Sequence, residues 1–392
     1  MQKNKWSTKV LITELILFFI AIEIIKDPNK SIESAKEGLN IWFNILLPSL
    51  FPFILITDLM ISLGVIDYFT RYLEPIMRPL FNASGIGAFP LFMSIMSGYP
   101  IGSRITAKIR NEGLITKNEA NRLIGFCSTS GPLFILGSVT IGMLQMPRLG
   151  FLLLMPHYLG ALTIGLILGI TSRGKKNYKC REDYIMNIGS IRKPMQKSEG
   201  SIITKSVTDS MNAIITVGGF VIIYSVIINI LLDSSGFNLI INTLSKITKV
   251  EIPNLKAIVA GIIEITNGCA MISGLEISLI KKILLINLII GWGGFSIHSQ
   301  AISFISDTDI DTRKYIISKI FHGLLSFVYT YLIYLFFYKD KIISTFIPKE
   351  PLFHINTSSW LKILTSSTTL ALSLIMFLII LSIFILEFRR RT

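Results

Sequence analysis

Four short polar clusters interrupt the apolar stretches of this sequence, and their side chains suit binding better than covalent chemistry. They are Ser97-Gly98-Tyr99-Pro100-Ile101-Gly102-Ser103, Cys127-Ser128-Thr129-Ser130-Gly131-Pro132, Glu264-Ile265-Thr266-Asn267-Gly268-Cys269 and the run from Gly291 to Gln300. Hydroxyls, amides, one imidazole and one acid in apolar surroundings can hydrogen-bond a small polar solute. The candidate substrate-binding residues are Ser97, Gly98, Tyr99, Pro100, Gly102, Ser128, Ser130, Glu264, Thr266, Asn267, Gly268, Ser296, His298 and Gln300. Glu264 is the sharpest of them. A carboxylate at membrane depth costs roughly 2.5–3.5 kcal/mol, so it needs a partner, a proton or a ligand. The competing reading is that Glu264 pairs with freed backbone amides near Gly268 and braces its own break. His298 is either a ligand or a partner for backbone in the opposite break, and Ser128 and Ser130 are either ligands or helix–helix glue.

Catalytic and metal patterns are absent from the sequence. There is no Gly-x-Ser-x-Gly, no His-Glu-x-x-His and no acid pair placed for intramembrane proteolysis, so no enzyme, catalytic residue or cofactor is expected. Cys127, Cys180 and Cys269 lack metal or redox spacing.

The clusters must be held by broken helices. Each unpaired backbone amide facing lipid costs several kcal/mol, roughly 2–7, so backbone freed by Gly and Pro must lie inside protein or line a wet cavity. Paired broken segments are a common way for transporters to build a midplane site. The spacing from Gly98 to Ser128 equals that from Glu264 to Gly294, although the halves share little side-chain identity. The order of breaks therefore predicts an internal repeat.

Composition points the same way. Of 392 residues 51% are hydrophobic and 16% charged, against about 25% charged in soluble proteins. The net charge of +14 collects in loops and ends. That excludes nucleic acid as a natural partner and suits a positive-inside membrane topology, with lipid as the surrounding partner.

Along the chain, Lys3, Lys5 and Lys9 precede an apolar run over 10–25, read as a first helix with a cytoplasmic N-terminus because no small-x-small cleavage site follows. Glu14 is expected to face protein. Stretch 41–63 carries Pro48 and Pro52, and Asp58 near its end is expected to reach the headgroups. Stretch 68–82, with Arg71, Glu74 and Arg78, reads as interfacial. Residues 104–122 read as a basic cytoplasmic loop running into a helix, in which Thr116 and Glu119 form a capping box. Residues 172–205 form a basic cytoplasmic linker.

The organisation expected is an N-terminal membrane helix in 1–37, a first repeat in 38–171, the linker in 172–205, a second repeat in 206–338, and an external loop with a C-terminal membrane helix in 339–392. The fold class is an all-α polytopic membrane protein. The two halves enter from opposite faces as an inverted repeat, with broken or re-entrant helices and about eight crossings. Arg389-Arg390-Arg391 then lies in the cytoplasm.

Several segments resemble a known family. Leu50-Phe51-Pro52-Phe53, the run from Leu73 to Phe81, Ser97-Gly98-Tyr99-Pro100-x-Gly102 and Glu119-Ala120-x-x-Leu123 are similar to the YlbJ family of sporulation integral membrane proteins. That family in turn resembles the nucleoside-recognition (Gate) proteins, whose domain also occurs in nucleoside carriers and ferrous-iron permeases. The resemblance implies two Gate-like halves, a bacterial cell membrane surrounding the forespore, and a role in spore cortex formation. It implies no particular solute. The GTPase of such iron permeases is not expected, since no Gly-x-x-x-x-Gly-Lys-Ser/Thr loop occurs. Two functions follow: a transporter or permeation module for a small polar solute, or a non-transporting scaffold that docks cortex-assembly proteins.

Overall fold

Helices account for the regular structure of residues 8–63, 66–172 and 199–338, the parts that the computed structural model describes. Most of the expected linker (173–198) and the expected external loop and C-terminal helix (339–392) lie outside the described residues. Among the described residues, four helices are long and apolar enough to cross a membrane: Pro147–Thr171, Gly200–Asp233, Leu279–Ile305 and Thr312–Tyr338.

Helix α1 (Thr8–Lys26) is followed by α2 (Pro28–Ile41), a π-helical turn (Trp42–Leu46) and α3 (Leu47–Ser62). Asp27 caps α2 by accepting from the Lys30 amide at 3.1 Å, and Pro28 supplies the fixed φ that suits a first turn. Glu14 is exposed on α1 and does not face protein. The run α2–α3 lies antiparallel to a long helix, Glu199–Asp233, and successive contacts mark that register. Lys30 pairs with Asp233, Asn229 Nδ2 donates to Ser34 Oγ at 2.8 Å, Trp42 Nε1 donates to the Ile214 carbonyl at 2.8 Å, and Ser210 Oγ donates to Asp58 at 3.2 Å.

Asp58 corrects an expectation. Its side chain is fully buried and does not reach for headgroups. Arg104 grips it with two nitrogens at 2.8 and 2.6 Å, and Lys108 adds a contact at 3.0 Å. Arg104 and Lys108 are therefore helical and engaged, not free loop residues. A buried acid with two cations beside it stays charged at far lower cost than one alone.

Helix α4 (Ile66–Phe81) turns sharply into α5 (Ala88–Ser97); the axes of Leu73–Phe81 and Gly85–Ser97 meet at 89°. Helix α6 (Ile101–Asn111) returns alongside α5, then α7 (Lys117–Phe126) leads through a break into a π-helical segment, Leu133–Met143, and α8 (Gly150–Thr171) follows. Thr116 caps α7 by accepting from the Glu119 amide at 3.2 Å, as its spacing predicts. The Glu119 carboxylate instead reaches the amide and hydroxyl of Ser84, tying α7 to the turn before α5.

After α9 (Glu199–Asp233) and α10 (Ser235–Thr248) the order recurs. A hairpin of short helices, α11 (Ile252–Ile263) and α12 (Ile265–Gly274), precedes a broken helix, α13 (Leu279–Trp292) and α14 (Gly294–Ile305), and then an unbroken one, α15 (Thr312–Phe337). Small residues let α13 and α15 approach: a Cβ on Gly291 would lie 2.7 Å from the Cα of Gly323. Between the halves, Arg110 Nε and Nη2 hold Asp309 at 2.9 Å each. Those hydrogen bonds keep the Asp309 carboxyl below its ordinary range.

Candidate functional site at the meeting of the breaks

Glycine fixes where the breaks lie, because only it allows both an open φ and backbone contact at this distance. Gly98 has φ of 85°, and a Cβ there would lie 2.5 Å from the Gly131 amide nitrogen. A Cβ on Gly102 would sit 1.6 Å from the Cys127 carbonyl oxygen. The hairpin α5–α6 is thus pressed directly onto the break that follows α7. Ser94 Oγ accepts from the Thr129 amide at 2.8 Å and lies 2.9 Å from Thr129 Oγ1, which satisfies backbone that the break frees. In the second half, a Cβ on Gly268 would lie 2.0 Å from the Cα of Gly261, closing the hairpin α11–α12. Gly294, with φ of 76°, would bring a Cβ within 3.2 Å of the Glu264 Cα.

Glu264 itself is the N-cap of α12. Its carboxylate accepts from the amides of Thr266 at 2.9 Å and Asn267 at 2.8 Å and from Asn267 Nδ2 at 3.1 Å. An anion at a helix N-terminus satisfies orphan donors and the macrodipole together. These are the contacts of the bracing role, and both carboxylate oxygens are engaged. Ser296, His298 and Gln300 are all buried on α14. Gln300 Nε2 donates to Ser296 Oγ at 3.3 Å, and His298 Nδ1 lies 3.1 Å from Tyr315 Oη, with its ring edge-on to Trp292.

Tyr99 joins the two pairs of breaks. It follows Gly98, carries a cis peptide bond to Pro100, donates its hydroxyl to the Ile290 carbonyl at 3.0 Å, and lies 3.7 Å from a Cβ built on Gly293. Its oxygen also receives a hydrogen bond at 2.7 Å from Lys319 Nζ.

Lys319, in the middle of apolar α15, is fully buried. Its other two hydrogen bonds go to the Ser128 carbonyl at 3.0 Å and His322 Nδ1 at 2.8 Å. Three acceptors match the three N–H bonds of an ammonium, whereas a neutral amine carries only two. His322 accepts at Nδ1, so its Nε2–H donates to the His157 carbonyl at 2.8 Å. His157 Nε2 in turn accepts from the Ser130 amide at 2.9 Å, and Tyr158 donates to the Ser130 carbonyl at 3.1 Å. No carboxylate pairs with Lys319 among the described residues.

The predicted residues Ser97, Gly98, Tyr99, Pro100, Gly102, Ser128 and Ser130 thus gather at one crossing. Glu264, Thr266, Asn267 and Gly268 lie at the other, with Ser296, His298 and Gln300 on the helix that leaves it. Sequence reading missed Lys319, His322, His157, Tyr158 and Tyr315. The signal was available: a lysine and a histidine three residues apart in an apolar helix, where an intramembrane ionisable group marks a functional site by default. The buried polar atoms here that have no hydrogen-bond partner among the described residues include His157 Nδ1, His298 Nε2 and Ser97 Oγ. Unused donors and acceptors in such a place are what a polar ligand needs.

Three known families or proteins match this chain. The family described as nucleoside recognition (Gate) matches residues 43–173. A protein of Bacillus subtilis, sporulation integral membrane protein YlbJ, is 33% identical over 338 residues, covering 83% of this chain and 82% of its own. An uncharacterised protein of Alkalihalophilus pseudofirmus is 29% identical over 117 residues, 30% of this chain and 24% of its own. No solved structure matches the chain.

Proposed function

This chain belongs to the YlbJ family of sporulation integral membrane proteins, and from that premise we propose that it is a carrier for a small polar solute bearing a carboxylate or similar anionic group. The observation that carries this reading is Lys319, a fully buried lysine beside the meeting breaks, its amine held by three acceptors and with no carboxylate paired to it among the described residues. A charge in a low-dielectric interior is costly unless compensated, so a solute bringing negative charge binds there favourably. His157 Nδ1, His298 Nε2 and Ser97 Oγ supply hydrogen bonds the protein does not use itself. The residues around Lys319 are buried, so a solute enters only when the hairpins part.

The matched order of hairpin, broken helix and unbroken helix in each half supports an inverted repeat with about eight crossings. On that reading α5–α6 enters from the cytoplasmic face, α11–α12 enters from the other, and both termini are cytoplasmic. The place of action is the membrane around the forespore, the role is in spore cortex formation, and no catalysis is involved.

The test is small-molecule mass spectrometry of the purified full-length protein, wild type beside Lys319→Met, together with heat-resistant spore yield in a Bacillus subtilis strain lacking its own YlbJ. The expected result is an anionic solute retained by wild type and lost from an equally abundant Lys319→Met, with spore yield falling at least tenfold. Normal spore yield with Lys319→Met would favour a scaffold that docks cortex-assembly proteins and carries nothing.

A further inference from the structure

The carboxyl-terminal end of a helix presents carbonyls without intrahelical partners and carries partial negative charge. When a membrane helix ends at the midplane, those carbonyls attract a cation, and carriers with broken helices commonly seat their coupling sodium or proton there. Helix Lys117–Phe126 ends inside the protein, with fully buried Cys127 as its C-cap. The next carbonyl, that of Ser128, takes Lys319 Nζ at 3.0 Å. The Tyr99 hydroxyl at 2.7 Å and His322 Nδ1 at 2.8 Å complete the set, and the ammonium also lies 4.7 Å from the centroid of the Tyr99 ring.

We propose that Lys319 is a tethered cation occupying the coupling-ion seat of helix Lys117–Phe126, so that this protein works without sodium. The inference rests on the carrier reading and adds to it the identity of the charge-balancing ion. The carbonyl and the hydroxyl are oxygen ligands of the kind a small hard cation takes, and the side chain of Lys319 fills the position such an ion would occupy. The groups facing it come from five places: Tyr99 in the first hairpin, Ser128 in the broken helix, His157 on α8, His298 on α14, and His322 on its own helix, with Tyr158 and Tyr315 behind them on Ser130 and His298. None is an acid. The one acid at the breaks, Glu264, serves the amides of α12. The two breaks therefore carry side chains of opposite type, a lysine amine beside a freed carbonyl and a carboxyl group at freed amides, each supplied by the chain.

Thermal unfolding of the full-length detergent-purified protein tests this in sodium, potassium and choline chloride at equal ionic strength. The wild type should unfold at the same temperature in all three. Lys319→Ser leaves the carbonyl, phenol and imidazole in place without the tether, and its midpoint should rise in sodium alone, saturably, by about 2–4 °C. A sodium-specific rise in the wild type would overturn the proposal. So would a folded Lys319→Ser that responds to no cation. Lys319→Ala serves if the serine variant does not fold. Should neither fold, the wild type decides: indifference to sodium upholds the tethered cation and a specific response rejects it. Because the readout is stability and not solute, it separates this inference from the carrier reading, which fails only if no anionic solute is retained.

Discussion

The Glu264 carboxylate accepts three N–H donors, and no neutral side chain of its size can do the same. Glu264→Gln keeps one oxygen but turns an NH₂ group toward a backbone amide, so donor meets donor at the start of α12. Hydrogen bonds to a charged group are worth about 1.5–3 kcal/mol each. Glu264→Gln is therefore expected to lower stability by about that much, read as a drop in the thermal midpoint of purified protein, while the solute is still retained. Loss of retention with an unchanged midpoint would instead make Glu264 a ligand. The acid itself was legible in the sequence because it sits in a break, and the bracing alternative anticipated amide partners nearby. Lys319 was harder to see. It lies in an unbroken helix, and its partner Tyr99 is 220 residues away, so only the assembled fold reveals the contact.

Elements, in this protein, are positioned by what glycine permits. The hairpin α5–α6 rests on the break after α7 at Gly98 and Gly102, and adding one carbon at Gly102 would place it 1.6 Å from a carbonyl oxygen. That atom belongs to backbone, so the whole hairpin has to move. Gly219 has nothing within 4 Å of its would-be Cβ. Gly102→Ala is accordingly expected to cut membrane abundance or spore yield by at least tenfold, while Gly219→Ala leaves both near wild type. Immunoblot and heat-resistant spore counts check it, and equal tolerance at the two sites would mean that the hairpin does not bear on the break. The breaks themselves were readable from Gly, Pro and polar clusters, since few sequences place such residues inside apolar runs without a structural reason. Asp58 was misread because one position near a helix end says nothing about its neighbours. Arg104 and Lys108 reach it from a segment that looks like a charged loop by composition alone.

At the scale of the whole molecule, the matched halves make a claim about direction. If the second half is inverted, the tip between α6 and α7 and the tip between α12 and α13 lie on opposite faces of the membrane. Charge favours this assignment. Lys108 and Arg110 close α6 and Lys117 opens α7, and basic residues gather on the cytoplasmic side. Lys281 and Lys282 near the second tip run against it, but Lys282 Nζ is held by the Ser273 carbonyl at 2.8 Å, so that charge is partly spent on capping α12. Asn111 and Glu276 are exposed, one beside each tip, and suit a labelling test. In a background with Cys127, Cys180 and Cys269 replaced, Asn111→Cys should resist a membrane-impermeant thiol reagent in intact cells and react after permeabilisation. Glu276→Cys should react in both. Protection of both sites in intact cells would place the two tips on one face. The halves would then be parallel, and a midplane site shared between oppositely entering hairpins would no longer follow.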